Sequence, residues 1–225
     1  LVLMVVSCLV TLELTGITVS FNSAPLEWWL SLPIIVVYPL LFGWVSYQTA
    51  TKLAEHKRRL QVMSTRDGMT GVYNRRHWET MLRNEFDNCR RHNRDATLLI
   101  IDIDHFKSIN DTWGHDVGDE AIVALTRQLQ ITLRGSDVIG RFGGDEFAVI
   151  MSGTPAESAI TAMLRVREGL NTLRLPNTPQ VTLRISVGVA PLNPQMSHYR
   201  EWLKSADLAL YKAKKAGRNR TEVAA

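Results

Sequence analysis

The sequence predicts an α/β domain built on a central, largely antiparallel sheet flanked by helices, with an N-terminal transmembrane helical segment before it. Three observations predict this. From Asp67 onward helical and strand-like hydrophobic periods alternate, two strand-like runs are joined by a Gly-Gly turn, and the first 47 residues are nearly free of charge. All 26 Lys and Arg, and all but Glu13 and Glu27 among the 22 acids, lie beyond residue 47. The net charge of +4 therefore belongs to the second part. A modest basic excess of this kind is a solvated surface or a site for phosphates. Nucleic acid is not an expected partner, because no groove-reading motif or aromatic stacking platform accompanies it.

Residues 1–47 read as two transmembrane helices, the end of a membrane module. "LVLMVVSCLVTLELTGITVSF" has about the length needed to cross a bilayer, and "LEWWLSLPIIVVYPLLFGWVSYQ" carries Trp28, Trp29, Trp44 and Tyr47 near its ends, where amphipathic rings favour the interface. Pro33 and Pro39 would kink the second span, and Glu13 in the first is either a functional group or a hydrogen-bonding one. The absence of a basic n-region and of a small-residue cleavage site argues against a signal peptide. "KLAEHKRRL" follows the second span, so the positive-inside rule places everything from Lys52 onward in the cytoplasm. The chain starts with Leu and is expected to be a piece of a longer one. Residues 48–66 form a helical stalk, in which Leu53, Leu60 and Met63 mark either a short coiled coil or an ordinary amphipathic helix.

Residues 67–225 form the remaining domain. A helix is expected from about Arg75 to Arg91, and "ATLLIIDID" is a strand apolar enough for burial on both faces. Residues 117–133 place Ile122, Leu125, Leu129 and Leu133 at helical spacing. "SDVIGRF" and "EFAVIM" are strands around the Gly-Gly turn, where glycine can reach positive φ without strain. "PAESAITAMLRVREGL" is a helix packing through Ile160, Met163, Leu164 and Leu170. "VTLRISVGVA" is a strand, and "EWLKSADLALYKAKKA" a last helix capped by Gly217. Cys8 and Cys89 show no metal-binding or CxxC spacing and read as free thiols in a reducing compartment.

Asp102 and Asp104 end the first strand two residues apart, so both point to one face. Carboxylates at the edge of an apolar core need partners. A salt bridge to a basic side chain is expected for Asp104; for Asp102 the rival is a divalent cation, which takes few carboxylates and completes its shell with water and phosphate oxygens. If the hairpin lies beside this strand, Asp145 and Glu146 supply the missing acids.

"RFGGDEF", "DIDHFKSINDTWGHDVGDE", "DGMTGVYNRR" and "YKAKKAGRN" together resemble the GGDEF family of diguanylate cyclases, across roughly Asp67 to Asn219. The resemblance implies a fold related to nucleotidyl cyclases and the polymerase palm. It implies condensation of two GTP into cyclic di-GMP and two pyrophosphates, by two protomers facing each other as a homodimer. Asp102, Asp145, Glu146 and the carbonyl of Ile103 match its metal ligands, for two Mg2+ or Mn2+ in each half-site. Glu146, with Asp145, matches the catalytic acids. Asn110 and Asp119 match the guanine readers, Gly143 and Gly144 the phosphate-approaching turn, and Lys107, Lys214 and Arg218 the phosphate contacts. Arg134 and Asp137 of "RGSD" match an inhibitory product site, joined by either Arg165 or Arg167. His115 is expected to be structural, and Met69 replaces a more usual Leu without chemical consequence. The alternative is an idle GGDEF-like receptor for cyclic di-GMP. The implied location is the bacterial inner membrane, with the catalytic domain in the cytoplasm.

Overall fold

The computed structural model describes residues 37–53, 65–175, 178 and 180–224. The chain divides at Met63/Ser64 into two compact units. In the first, residues 37–53 are helical. Among the described residues no helix is long and apolar enough to cross a membrane. The first expected span, Pro33 of the second, Cys8, Glu13 and the stalk positions Leu60 and Met63 lie outside the described residues.

The second unit contains β1 (Tyr73–Asn74), α1 (Arg75–His92), β2 (Ala96–Ile103), α2 (Phe106–Trp113), α3 (His115–Thr132), β3 (Val138–Arg141), β4 (Glu146–Ser152), α4 (Ala156–Thr172), β5 (Ile185–Pro191), α5 (Tyr199–Lys215) and β6 (Thr221–Val223). They form one six-stranded sheet in the order β1-β3-β4-β2-β5-β6. The four central strands pair antiparallel, as the sequence predicts, whereas the short edge strands β1 and β6 pair parallel to their neighbours. These edges, and the short helix α2, have too few residues to show a hydrophobic period.

β2 is buried along its whole length, and its alternation divides the core. Leu99, Ile101 and Ile103 join Leu125, Leu129, Met163 and Val166 of α3 and α4. Leu98 and Ile100 join Trp78, Leu82 and Phe86 of α1 and Trp202, Ala206 and Leu210 of α5. The even positions of β2 thus face α1 and α5, and this parity assigns Asp102 and Asp104 to that side.

The helices start and stop where local chemistry dictates. The Asn74 side chain accepts from the His77 N–H at 3.0 Å to cap α1, which ends at Asn93 in the left-handed region. α5 ends at Ala216, with Gly217 following at φ 108°. Three expectations are corrected. Leu164 of α4 is 46% exposed, because Met163, Val166 and Leu170 already fill the face toward the sheet. "VTLR" precedes β5 as irregular chain, although Val181 and Leu183 are buried. His115 opens α3 as an exposed residue rather than a buried one.

Candidate functional site

β2 and the β3–β4 hairpin meet at the edge of the sheet. The pairing sets Asp102 opposite Glu146, and the backbone N–H of Ile103 donates to the carbonyl of Asp145 at 3.4 Å. The hairpin tip and the end of β2 are therefore neighbours, and period-2 geometry turns the Asp102 and Glu146 side chains to the α5 side. There the ammonium of Lys214 lies 2.7 Å from Asp102 Oδ2. Burial pushes the Asp102 carboxyl above the usual carboxylate range, Lys214 opposes this, and the nearby charges of Asp145 and Glu146 add to it. Asp207 of α5 is also held above its usual range, by desolvation first and by Glu146 second, with Arg75 opposing. Among the described residues no group of three or more acids, His or Cys converges closely enough to form a ready metal cluster.

The turn differs from the expected one. Neither Gly143 nor Gly144 has positive φ. A Cβ on Gly143 would lie 3.0 Å from Glu146 Oε2, whereas one on Gly144 would meet nothing within 4 Å. The glycines thus leave room over the hairpin rather than supplying an unusual backbone shape. Both Phe142 and Gly143 donate their N–H to the carbonyl of Glu146. Arg141, given no role by the sequence reading, clasps the tip. Its Nε and Nη2 donate to the Gly144 carbonyl at 3.1 and 2.7 Å, and its Nη1 lies 3.1 Å from Asp67 Oδ1. Asp67 also accepts from the N–H and hydroxyl of Thr70. "DGMT" and "RFGGD" are distant in sequence, and only the fold reveals that one arginine joins them.

Asp104 is structural, but not through a salt bridge. It accepts from the Ser186 hydroxyl at 2.6 Å and from the Asn219 N–H at 2.8 Å, which fastens the loop after α5 to the end of β2. That loop carries Arg218, which is exposed at φ 60°, as is Lys107 on α2 at an ordinary helical φ. Asn110 of α2 has a buried Oδ1 with no hydrogen-bond partner, and Asp119 of α3 is exposed.

A second concave site lies on the α4 side of the sheet. Arg134, Asp137, Thr154, Ser158 and Arg165 line a cleft of about 210 Å3. Asp137 Oδ2 accepts from the backbone N–H of Arg134 at 2.9 Å, while its Oδ1 is buried without a partner. Burial raises the Asp137 pKa, partly offset by Arg134. Arg165 lines this cleft and Arg167 does not.

The family model described as "Diguanylate cyclase, GGDEF domain" matches residues 64–220. The chain is 99% identical over 225 residues to the probable diguanylate cyclase DgcC of Escherichia coli K12, of whose length it spans 61%. It is 35% identical over 159 residues to the diguanylate cyclase DosC of the same organism, covering 70% of this chain and 34% of that protein. Its structure is similar to the crystal structure of the GGDEF domain of DgcB from Caulobacter crescentus in complex with c-di-GMP. That match has a TM-score of 0.68 and 30% identity, and covers 72% of this chain and 96% of the other.

Proposed function

The chain belongs to the GGDEF family of diguanylate cyclase domains, and from this membership we propose that it condenses two GTP into cyclic di-GMP with release of two pyrophosphates. The observation that carries the reading is the register of Asp102 opposite Glu146, with the Asp145 carbonyl bonded to Ile103. It supports the reading by bringing the hairpin tip that carries Asp145 and Glu146 beside the end of β2 that carries Asp102 and Ile103, with Gly143 and Gly144 leaving room for a triphosphate.

Asp102, Asp145, Glu146 and the Ile103 carbonyl form an all-oxygen donor set, which suits a hard divalent cation. The strained ionisation of Asp102, one buried carboxylate against two neighbouring acids, is the electrostatic state that added positive charge relieves. These residues would hold Mg2+ or Mn2+, two in each half-site, and the cations would supply charge stabilisation on the triphosphate and a more acidic 3′-hydroxyl. Lys214 carries the positive charge on Asp102 in this structure. On substrate binding it would swing to a phosphate oxygen, with Lys107 and Arg218 beside it. Glu146 is placed to help take the 3′-hydroxyl proton. Asp119 and Asn110 offer acceptors to the N–H groups of guanine, and a base without those donors would leave them unpaired.

One domain binds one nucleotide, yet the product has two 3′-to-5′ bonds. Two protomers must therefore face each other, so that each 3′-hydroxyl attacks the partner nucleotide's α-phosphate. A membrane anchor in residues 1–47 and the 48–66 stalk would hold two copies near each other at the bacterial inner membrane, with the catalytic domain in the cytoplasm. The cleft at Arg134, Asp137 and Arg165 is proposed to bind product and inhibit, since its free carboxylate oxygen and planar guanidinium groups suit guanine and phosphate.

The test is incubation of the chain with GTP and magnesium, followed by chromatography of the nucleotides. Cyclic di-GMP is expected from the native sequence and none from Asp145→Asn or Glu146→Gln, with far-UV circular dichroism unchanged. Normal turnover by either variant would remove the assignment. Tight product binding without any synthesis would favour the idle receptor instead.

A further inference from the structure

Gly118 sits in the first turns of α3 with ordinary helical geometry, where glycine costs about 1 kcal/mol relative to alanine. A helix interior keeps such a residue for space, and the space here is specific. A Cβ at 118 would lie 1.9 Å from Asn110 Oδ1, 3.0 Å from Asn110 Cγ and 3.2 Å from Phe106 Cζ. The Asn110 amide therefore lies in the notch that the missing side chain leaves. Its Oδ1 is buried there without a donor, a state that costs roughly 1–3 kcal/mol when nothing arrives to satisfy it. The next residue, Asp119, is the other acceptor assigned to the base.

We propose that Gly118 is a specificity-determining positioning residue: its bare Cα lets α3 approach α2 closely enough to hold Asn110 and Asp119 at one spacing, matched to a purine with donors on its 1 and 2 positions. The inference rests on the cyclase reading above and deepens it. Gly118 touches no substrate and acts through Asn110. Any side chain at 118 displaces the amide, so the loss falls on recognition of the base and not on the phosphate contacts made by Lys107 and Arg218.

The purified full chain and its variants are titrated with the α,β-methylene triphosphates of guanosine and of inosine, which lacks the 2-amino donor. Gly118→Ala is expected to weaken the guanosine analogue by about tenfold or more while weakening the inosine analogue less, so that the preference between them shrinks. In an Asn110→Ala background the same change is expected to alter guanosine affinity by less than about twofold, because the amide it would strike is gone. Thermal midpoints should follow the same cycle, with Gly118→Ala lowering the midpoint in the native background and leaving it unchanged or raising it in the Asn110→Ala one, where alanine's helix preference acts without the clash. That arm remains readable if Gly118→Ala alone folds poorly. The inference is overturned by native-like guanosine binding in Gly118→Ala, by an unchanged preference between the two bases, or by equal penalties in both backgrounds. If the native chain itself fails to bind the guanosine analogue, the cyclase reading falls first and this inference falls with it.

Discussion

At Asp102 the proposed role and the stability of the fold pull in opposite directions. A carboxyl whose folded pKa is raised binds its proton more tightly in the folded than in the unfolded state. It therefore opposes folding above its ordinary pKa, and that cost fades as the pH falls toward the unfolded value. Asp102→Asn removes the charge and keeps the shape. At pH 7 it should leave the stability unchanged or raise it, by about 1 kcal/mol or less, while abolishing synthesis. A clear loss of stability measured by calorimetry would mean that the Lys214 pair contributes more than burial costs. Cys89 behaves differently. It is 2% exposed, burial pushes its thiol up to about 12, and it donates to Glu85. Alkylation of Cys89 at pH 8, followed by peptide mapping, should be negligible in the folded chain and fast in denaturant. Ready labelling without denaturant would show that α1 opens.

At the scale of elements, the site depends on how closely α5 lies on the sheet. A Cβ on Gly188 of β5 would be 2.2 Å from the carbonyl oxygen of Ala206 and 2.3 Å from the N of Leu210. Backbone cannot step aside as a flexible side chain can. Gly188→Ala should cost roughly 2–3 kcal/mol in chemical denaturation and should lower activity further, because lifting α5 carries Lys214 away from Asp102. Stability near that of the native chain would contradict such tight packing. The continuous apolar run of β2, the hairpin, and the four long helices were legible in the sequence because each has a strong period or a turn signal. Also legible was the meeting of the hairpin with the acidic end of β2, since two carboxylate-bearing ends of apolar strands have few ways to be satisfied. α2, β1 and β6 were not legible, being too short to show a pattern. Nor were the partners of Arg141 and Asp104, because contacts across 74 and 115 positions leave no local trace. Leu164 misled for a related reason: helical spacing shows which residues share a stripe, but not where the stripe ends.

For the whole molecule, the two faces of the sheet carry separate candidate sites. Asp102, Glu146 and Lys214 lie toward α5, while the cleft of Arg134, Asp137 and Arg165 is on the α4 side. Asp137 accepts from the backbone of Arg134, so changing the arginine side chain leaves that bond in place. The double variant Arg134→Ala, Arg165→Ala should therefore keep its initial rate of synthesis but continue past the product concentration that stalls the native chain. Progress curves with and without added cyclic di-GMP check this, and identical inhibition in both proteins would place the brake elsewhere.

Asp104 gives the tie between β2 and the loop carrying Arg218 a wider meaning. Hydroxyl and amide clamp one carboxylate, so the end of β2 and the loop after α5 are tied to each other. On the proposed two-protomer mechanism, a small molecule that kept two such domains apart would silence synthesis without competing for nucleotide at all.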